Sequence, residues 1–195
     1  MDGSSGSFCM MLDEAKMRTL APLKRVLLIR KPVEVQEGEK FARVTPSKVP
    51  TFRFTIHFDH VAIGRQEYHF VFGKKAFLEE IARARTFGFM KDVQMLRARG
   101  LALGGSLDNA VVMDEKKILN PEGLRYNNEF VRHKILDAIG DLALLGAPMI
   151  GDYESYAGSH HLNHLLTKEI LKDPSNYEIK TLVPEMASVY EKVFA

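Results

Sequence analysis

Residues 51–72 constrain the fold most. In TFRFTIHFDH, Phe52, Phe54, Ile56 and Phe58 alternate with Arg53, Thr55 and His57, and QEYHFVF repeats the pattern with Tyr68, Phe70 and Phe72. Period-two alternation turns one set of side chains to a core and the other to solvent, so both segments read as half-buried strands of an antiparallel sheet. Upstream, KRVLLIRKPVEV (24–35) reads as one β-branched-rich strand in which Pro32 implies an edge or a bulge. A further strand spans about Lys40 to Thr45, and residues 8–17 read as a short helix. After Gly73 the apolar spacing becomes helical, through Phe77, Leu78, Ile81, Met95 and Leu96.

That spacing predicts a helix over about 74–85, a break at Thr86–Phe89, and a second helix to Arg99. Gly88 marks the break, since glycine costs roughly 1 kcal/mol against alanine inside a helix. A loop with Gly104 and Gly105 follows, then a short strand at Ala110–Met113 and a turn at NPEG. A helix runs from about Asn128 to Leu145, stopped by Gly146 and Pro148. MIGDYESYAG reads as a last strand. SHHLNHLLTKEILK reads as a last helix capped by Ser159, with an apolar stripe of Leu162, Leu165, Leu166 and Ile170. The residues from Pro174 onward show little pattern. Sheet first, then helices on one face, is the α+β two-layer sandwich.

At 195 residues the chain is long enough for one domain, or one and a fraction. The formal charge of +2 argues against a nucleic-acid partner, which calls for a clustered basic face. The single cysteine excludes an intrachain disulfide and a CxxC metal site. No apolar run is long enough for a transmembrane segment, and FCMML lacks a basic leader, so the chain reads as cytoplasmic.

RHKILDAIGD sets His133, Asp137 and Asp141 at successive four-residue intervals along one helix face. Phe130, Ile135, Leu136, Ile139, Leu142 and Leu145 supply that helix with apolar surface. His133 and Asp137 suit a divalent metal, or equally a surface i,i+4 pair. His160, His161 and His164 open the last helix. They read as a polar helix start, as packed core histidines, or as a donor aimed at developing negative charge, with Asp141 placed to hold one of them protonated. RARTFGF reads as a helix kink with core phenylalanines, or as a lip offering the Thr86 hydroxyl and a stacking ring.

Taken together and in order, RARTFGFMKDVQMLRARGLALGGSLDNAVV, RHKILDAIGD and GSHHLNHLL resemble the zinc-dependent UDP-3-O-acyl-N-acetylglucosamine deacetylase family of lipid A biosynthesis. The resemblance covers about residues 24–171. It implies a two-lobed Gram-negative enzyme with the site between the lobes. This chain would comprise a remnant of the first lobe (1–20), the second lobe (21–172) and a C-terminal tail (173–195). MDGSSGS has the composition of a flexible linker, but MDGS resembles a native segment near the end of the family's first lobe. The resemblance implies that His133 and Asp137 ligate zinc (Zn2+). It makes His160 the cationic histidine that stabilises the oxyanion or protonates the leaving amine, oriented by Asp141. Thr86 would bond the oxygen of the tetrahedral intermediate, and Phe87 and Lys134 would meet the sugar-nucleotide. Met90–Met113 would form the family's inserted βαβ unit, whose apolar passage takes the acyl chain, with Val93, Leu103 and Val112 suited to line it.

Two departures from the family pattern stand out. The family's third zinc histidine and its general base lie in a Glu-His pair, and no Glu-His dipeptide occurs in this chain. Where the family has SGH, this chain has GSH followed by a second histidine, His161. The expectation is a partial enzyme acting on an acylated UDP-sugar together with a missing N-terminal lobe or another copy. Alone it would have negligible deacetylase activity and weak zinc affinity, and it would associate through its uncovered apolar face. The alternative is a non-catalytic substrate-binding or lobe-partnering module.

Overall fold

The computed structural model describes residues 2–16, 24–101, 104 and 106–182. Helix α1 is Gly6–Glu14, and strands β1 to β5 are Arg25–Ile29, Val33–Glu37, Lys40–Thr45, Thr51–His57 and Arg65–Val71. A single helical turn, α2 (Lys74–Ala76), widens into a π turn at Phe77–Ile81. Then come β6 (Phe87–Phe89), α3 (Met90–Ala98), β7 (Val111–Met113) and α4 (Glu129–Leu142). The chain continues through β8 (Met149–Ile150), β9 (Asp152–Tyr156), α5 (His160–Lys172) and β10 (Tyr177–Thr181).

The described strands form a five-stranded sheet in the order β2-β3-β9-β4-β5 and a three-stranded sheet in the order β10-β1-β8. Within these two sheets the pairings are antiparallel except β4 with β9 and β1 with β8. Helix α4 packs over β4 and β5, and α5 packs over β2 and β3, so both lie on one face of the larger sheet. Phe54, Phe70, Phe130, Ile135, Tyr153, Leu162, Leu166 and Ile170 fill the space between, each fully buried or nearly so. This is the α+β sandwich that the alternating strands predict. Strands β6 and β7 pair in parallel on either side of α3, which gives a βαβ unit that begins at Phe87, three residues before the expected Met90.

Several boundaries differ from the sequence reading. The segment 24–35 is two strands in two different sheets. The chain leaves β1 at Arg30, whose amide donates to the Asn176 carbonyl (2.8 Å), and restarts beyond Pro32 as the edge strand β2. MIGDYESYAG is likewise two strands, switching sheets at Gly151. A side chain there would meet Ile29 Cγ1 at 2.7 Å, so only glycine lets the two sheets approach this closely. Thr55 faces away from the core yet is buried, because β4 is an interior strand and Glu67 and Tyr156 flank Thr55 across the sheet. The residues beyond Pro174 contribute β10, which pairs antiparallel with β1 from Arg25↔Thr181 to Ile29↔Tyr177.

The predicted helix over 74–85 ends at Ile81. The carbonyls of its last turn and of the residues just beyond are taken by groups distant in sequence. Tyr126 Oη donates to the Glu79 carbonyl (3.1 Å) and Arg132 Nη1 to that of Glu80 (2.8 Å). The Ser5 amide donates to the Ala82 carbonyl (2.8 Å) and Arg125 Nη1 to that of Arg83 (2.9 Å). These bonds replace the ladder that would have continued the helix. The expected break at 86–89 is strand β6, and Gly88 lies opposite Val112 in the parallel pair.

Candidate active site

His133 is buried on α4, in the turn after the helix begins. Its Nδ1 lies 3.1 Å from the carbonyl of Ala84, and a carbonyl only accepts, so Nδ1 carries the proton. Burial holds the imidazole below its ordinary pKa, against the opposing pull of Asp137 and the Ala84 carbonyl. A neutral ring with its proton on Nδ1 turns the Nε2 lone pair to Asp137 Oδ1, 3.3 Å away. Two acceptors at that separation repel unless a cation or a proton lies between them. The pair therefore fits two positions of a divalent metal's shell, with the second-shell hydrogen bond usual for a ligating histidine. Among the described residues no group of three or more His, Cys, Asp or Glu side chains is placed to hold a metal ion.

Asp137 Oδ2 accepts from Lys134 Nζ at 2.9 Å and lies 3.9 Å from His160 Nε2. His160 Nδ1 lies 2.8 Å from Asp141 Oδ2, so the first residue of α5 bridges the two α4 carboxylates. Its side chain is 69% exposed, at the mouth of the array. His161 turns the other way, with Nε2 3.1 Å from Glu37 Oε1 on edge strand β2. Of the two adjacent histidines, His160 is the one that meets the α4 acids.

A residue the sequence reading missed completes this corner. Asn163 is fully buried and donates from Nδ2 to Asp141 Oδ2 at 2.8 Å. Its own Oδ1 accepts from Tyr153 Oη at 2.6 Å, which fixes the amide orientation. Burial pushes the Tyr153 phenol far above its ordinary pKa, so it stays a donor. Asp141 is thus held by one donor from the core and one from the mouth. An amide whose partners lie on another helix and on a strand has no sequence signature, though Asn163 does lie at i+3 from His160 on the helix face that meets α4.

Thr86 and Phe87 follow Ala84 closely in the chain. The Thr86 amide donates to the Asp2 carbonyl (3.3 Å), and its carbonyl accepts from the Val111 amide (2.8 Å). Gly3, at φ +71°, lies against the Thr86 side chain so closely that a Cβ on it would meet Thr86 Cβ at 2.7 Å. Asp2 pairs with Arg125 at 2.6 Å. Burial raises the Asp2 pKa, but hydrogen bonds from the Ser4 hydroxyl and amide, together with Arg125, outweigh it and hold the carboxyl down at about 2. The Phe87 ring stands edge-on to Phe130, Phe58 and His133, at 5.0, 5.9 and 6.3 Å between centroids. Lys134 Nζ lies 5.8 Å from the Phe54 ring centre.

Of the residues expected along the acyl passage, Val93 is half-buried on α3 and Val112 is buried in β7. Leu103 lies outside the described residues. His60, outside the site, bonds the Asp114 carbonyl (2.7 Å) and packs on Phe89, bracing the βαβ unit from below. A cavity of 690 Å³ between α1 and the π turn, lined by Ser4, Cys9, Met10, Phe77 and Leu78 among others, includes none of the predicted site residues.

The family model described as LpxC, UDP-3-O-acyl N-acetylglycosamine deacetylase, matches residues 1–172. The chain belongs to this family. Proteins named UDP-3-O-acyl-N-acetylglucosamine deacetylase from Campylobacter jejuni subsp. jejuni serotype O:23/36 (strain 81-176) and Campylobacter fetus subsp. fetus (strain 82-40) are each 64% identical to it over 195 residues. The protein of that name from Campylobacter hominis is 63% identical. In each case the alignment covers 100% of this chain and 66% of the relative, so the chain spans just under two thirds of the curated deacetylases it matches. The family match begins at residue 1 and takes in MDGSSGS, in line with a native segment there. No helix among the described residues is long and apolar enough to cross a membrane.

Proposed function

We propose that the chain carries the electrophilic half of a metal-dependent deacetylase that hydrolyses the acetamide of UDP-3-O-acyl-N-acetylglucosamine, a step of lipid A biosynthesis. The observation that carries this reading is the facing of His133 Nε2 and Asp137 Oδ1, with His160 bridging Asp137 and Asp141 beside them. His133 and Asp137 would hold the ion, zinc by the family resemblance. A divalent metal there supplies Lewis acidity toward the acetamide carbonyl.

This chain's own groups serve the remaining steps. Water adds its oxygen to the carbonyl carbon, and the Thr86 hydroxyl donates to the oxygen that gains charge. His160, kept in place by Asp141, stabilises that charge or donates its Nε2 proton to the nitrogen as the C–N bond breaks. Acetate departs and the sugar amine remains. Lys134 and Phe87 would meet the sugar-nucleotide. Val93 and Val112 belong to the unit that would take the acyl chain. The third ligand and the base that accepts the water's proton would come from outside the described residues, from a first lobe or another polypeptide.

Acetate release from the acylated UDP-sugar tests this directly, measured with the chain alone and with the first lobe of a Campylobacter relative added. Turnover is expected only in the complemented sample, and it should disappear on His133→Ala. Family-level turnover by the chain alone would sink the divided-site reading. Substrate binding without turnover in either sample would favour the alternative of a non-catalytic binding module.

A further inference from the structure

Arg85 and Glu129 form the most enclosed ion pair described, 3% and 0% exposed. The Glu129 carboxylate accepts four hydrogen bonds: from the Arg85 amide (2.9 Å), Arg85 Nε (2.9 Å), Arg85 Nη2 (3.2 Å) and the Arg125 amide (2.6 Å). The guanidinium gives two further hydrogen bonds, to Glu122 Oε1 and the Gly123 carbonyl, both at 2.6 Å. One buried pair therefore ties the segment after the π turn, the 122–125 turn and the first residue of α4.

Its place in the chain matters more than its strength. Arg85 lies between Ala84, whose carbonyl takes the Nδ1 proton of His133, and Thr86. Glu129 lies one helical turn before His133 on α4. Buried ion pairs are weak sources of stability, because desolvation offsets most of the attraction. What a planar five-donor fork does well is fix geometry.

We propose that Arg85 and Glu129 are positioning residues: their pairing sets the Ala84 carbonyl against His133, locks the imidazole in the Nδ1–H form with Nε2 facing Asp137, and holds the Thr86 backbone beside it. The consequence for catalysis rests on the deacetylase reading above; the tautomer lock does not.

Two variants of the full chain test the lock. Arg85→Lys keeps the charge that neutralises Glu129 but cannot span Glu129, Glu122 and the Gly123 carbonyl at once. Arg85→Met/Glu129→Gln removes both charges and leaves an acceptor for the Arg85 amide. The readouts are the His133 tautomer, from long-range 1H–15N spectra of histidine-labelled protein, and cobalt(II) affinity. The wild type is expected to show one tautomer. At least one folded variant should show a mixture and bind cobalt roughly 10-fold or more weakly, the usual size of a lost second-shell contact. Ile170→Ala, a core truncation at the far end of α5, serves as the control: it should lower the melting temperature and leave the tautomer alone.

Wild-type tautomer and wild-type cobalt affinity in every folded Arg85 variant overturn the proposal. So does an Ile170→Ala chain that loses the tautomer equally. A wild-type chain with a single tautomer that binds no cobalt would sink the metal reading instead, and the tautomer comparison would still decide this one.

Discussion

Tyr153 and Gly3 show how much of the site depends on groups that touch no substrate. Tyr153 donates to Asn163, which donates to Asp141, which receives His160. Tyr153→Phe would leave the Asn163 Oδ1 buried without its donor, at a cost of about 1–3 kcal/mol. It would also free the amide to flip and present oxygen to Asp141. Urea unfolding should report the stability loss, and the His160 imidazole resonances should broaden; a variant unchanged in both would mean that Asp141 alone fixes His160. Gly3→Ala puts a methyl group into the Thr86 side chain from a left-handed backbone position. A destabilisation of about 1–3 kcal/mol is expected from strain at such a position, read as a lower urea midpoint at constant slope. An unchanged midpoint would show that the 2–5 segment yields freely and does not brace Thr86.

Strands and helices differ in how openly the sequence declares them. TFRFTIH and the helix of RHKILDAIGD are evident because their periods are strict and one face of each is buried. The four-residue spacing of His133, Asp137 and Asp141 likewise survives into the geometry, since all three stand on one uninterrupted helix. The π turn is hidden because its end is decided by Tyr126, Arg132, Arg125 and Ser5, all remote in sequence. Asn163 and the Ala84 carbonyl are hidden because amides and backbone oxygens leave no pattern. Strand β10 is hidden for another reason: YEIKT stays half-exposed between two prolines, with little alternation to betray it. Yet it covers the outer edge of β1 over five register pairs. Ending the chain after Lys172, where the family match stops, should cost about 1–5 kcal/mol at 0.2–1 kcal/mol per cross-strand pair. It should also expose β1 as an open edge prone to pairing between molecules. Thermal melting with light scattering would show both effects, and an equally stable monomer would contradict the role given to β10.

The fold as a whole should weaken in acid. Asp2, with a carboxyl near 2, and Glu129 are both held below their ordinary pKa in the folded chain. At Glu129 burial pulls upward, but the hydrogen bonds from Arg85 and Arg125 prevail. A carboxylate whose folded pKa is depressed contributes stability that is complete above its unfolded value. That contribution is lost as pH falls through the folded one. Stability should therefore hold from neutrality to about pH 5 and decline as pH falls toward 2. Urea midpoints across that range should show the decline, and Asp2→Asn should flatten part of it. A decline that is unaltered in Asp2→Asn would assign the effect to other carboxylates.

The three-stranded sheet also bears on how the protein is made. Arg30, at the end of β1, bonds Glu178 in β10 across 148 residues of chain. At synthesis rates of about 5–20 residues per second, β1 leaves the ribosome roughly 7–30 s before β10 exists. Through that interval its row of amides and carbonyls has no native partner on that side. The histidines and carboxylates of α4 and α5 are made within that interval, while β1 still lacks its outer partner. A nascent chain of this family is at its most vulnerable just as its chemistry is being assembled, and it is then that a chaperone would have most to protect.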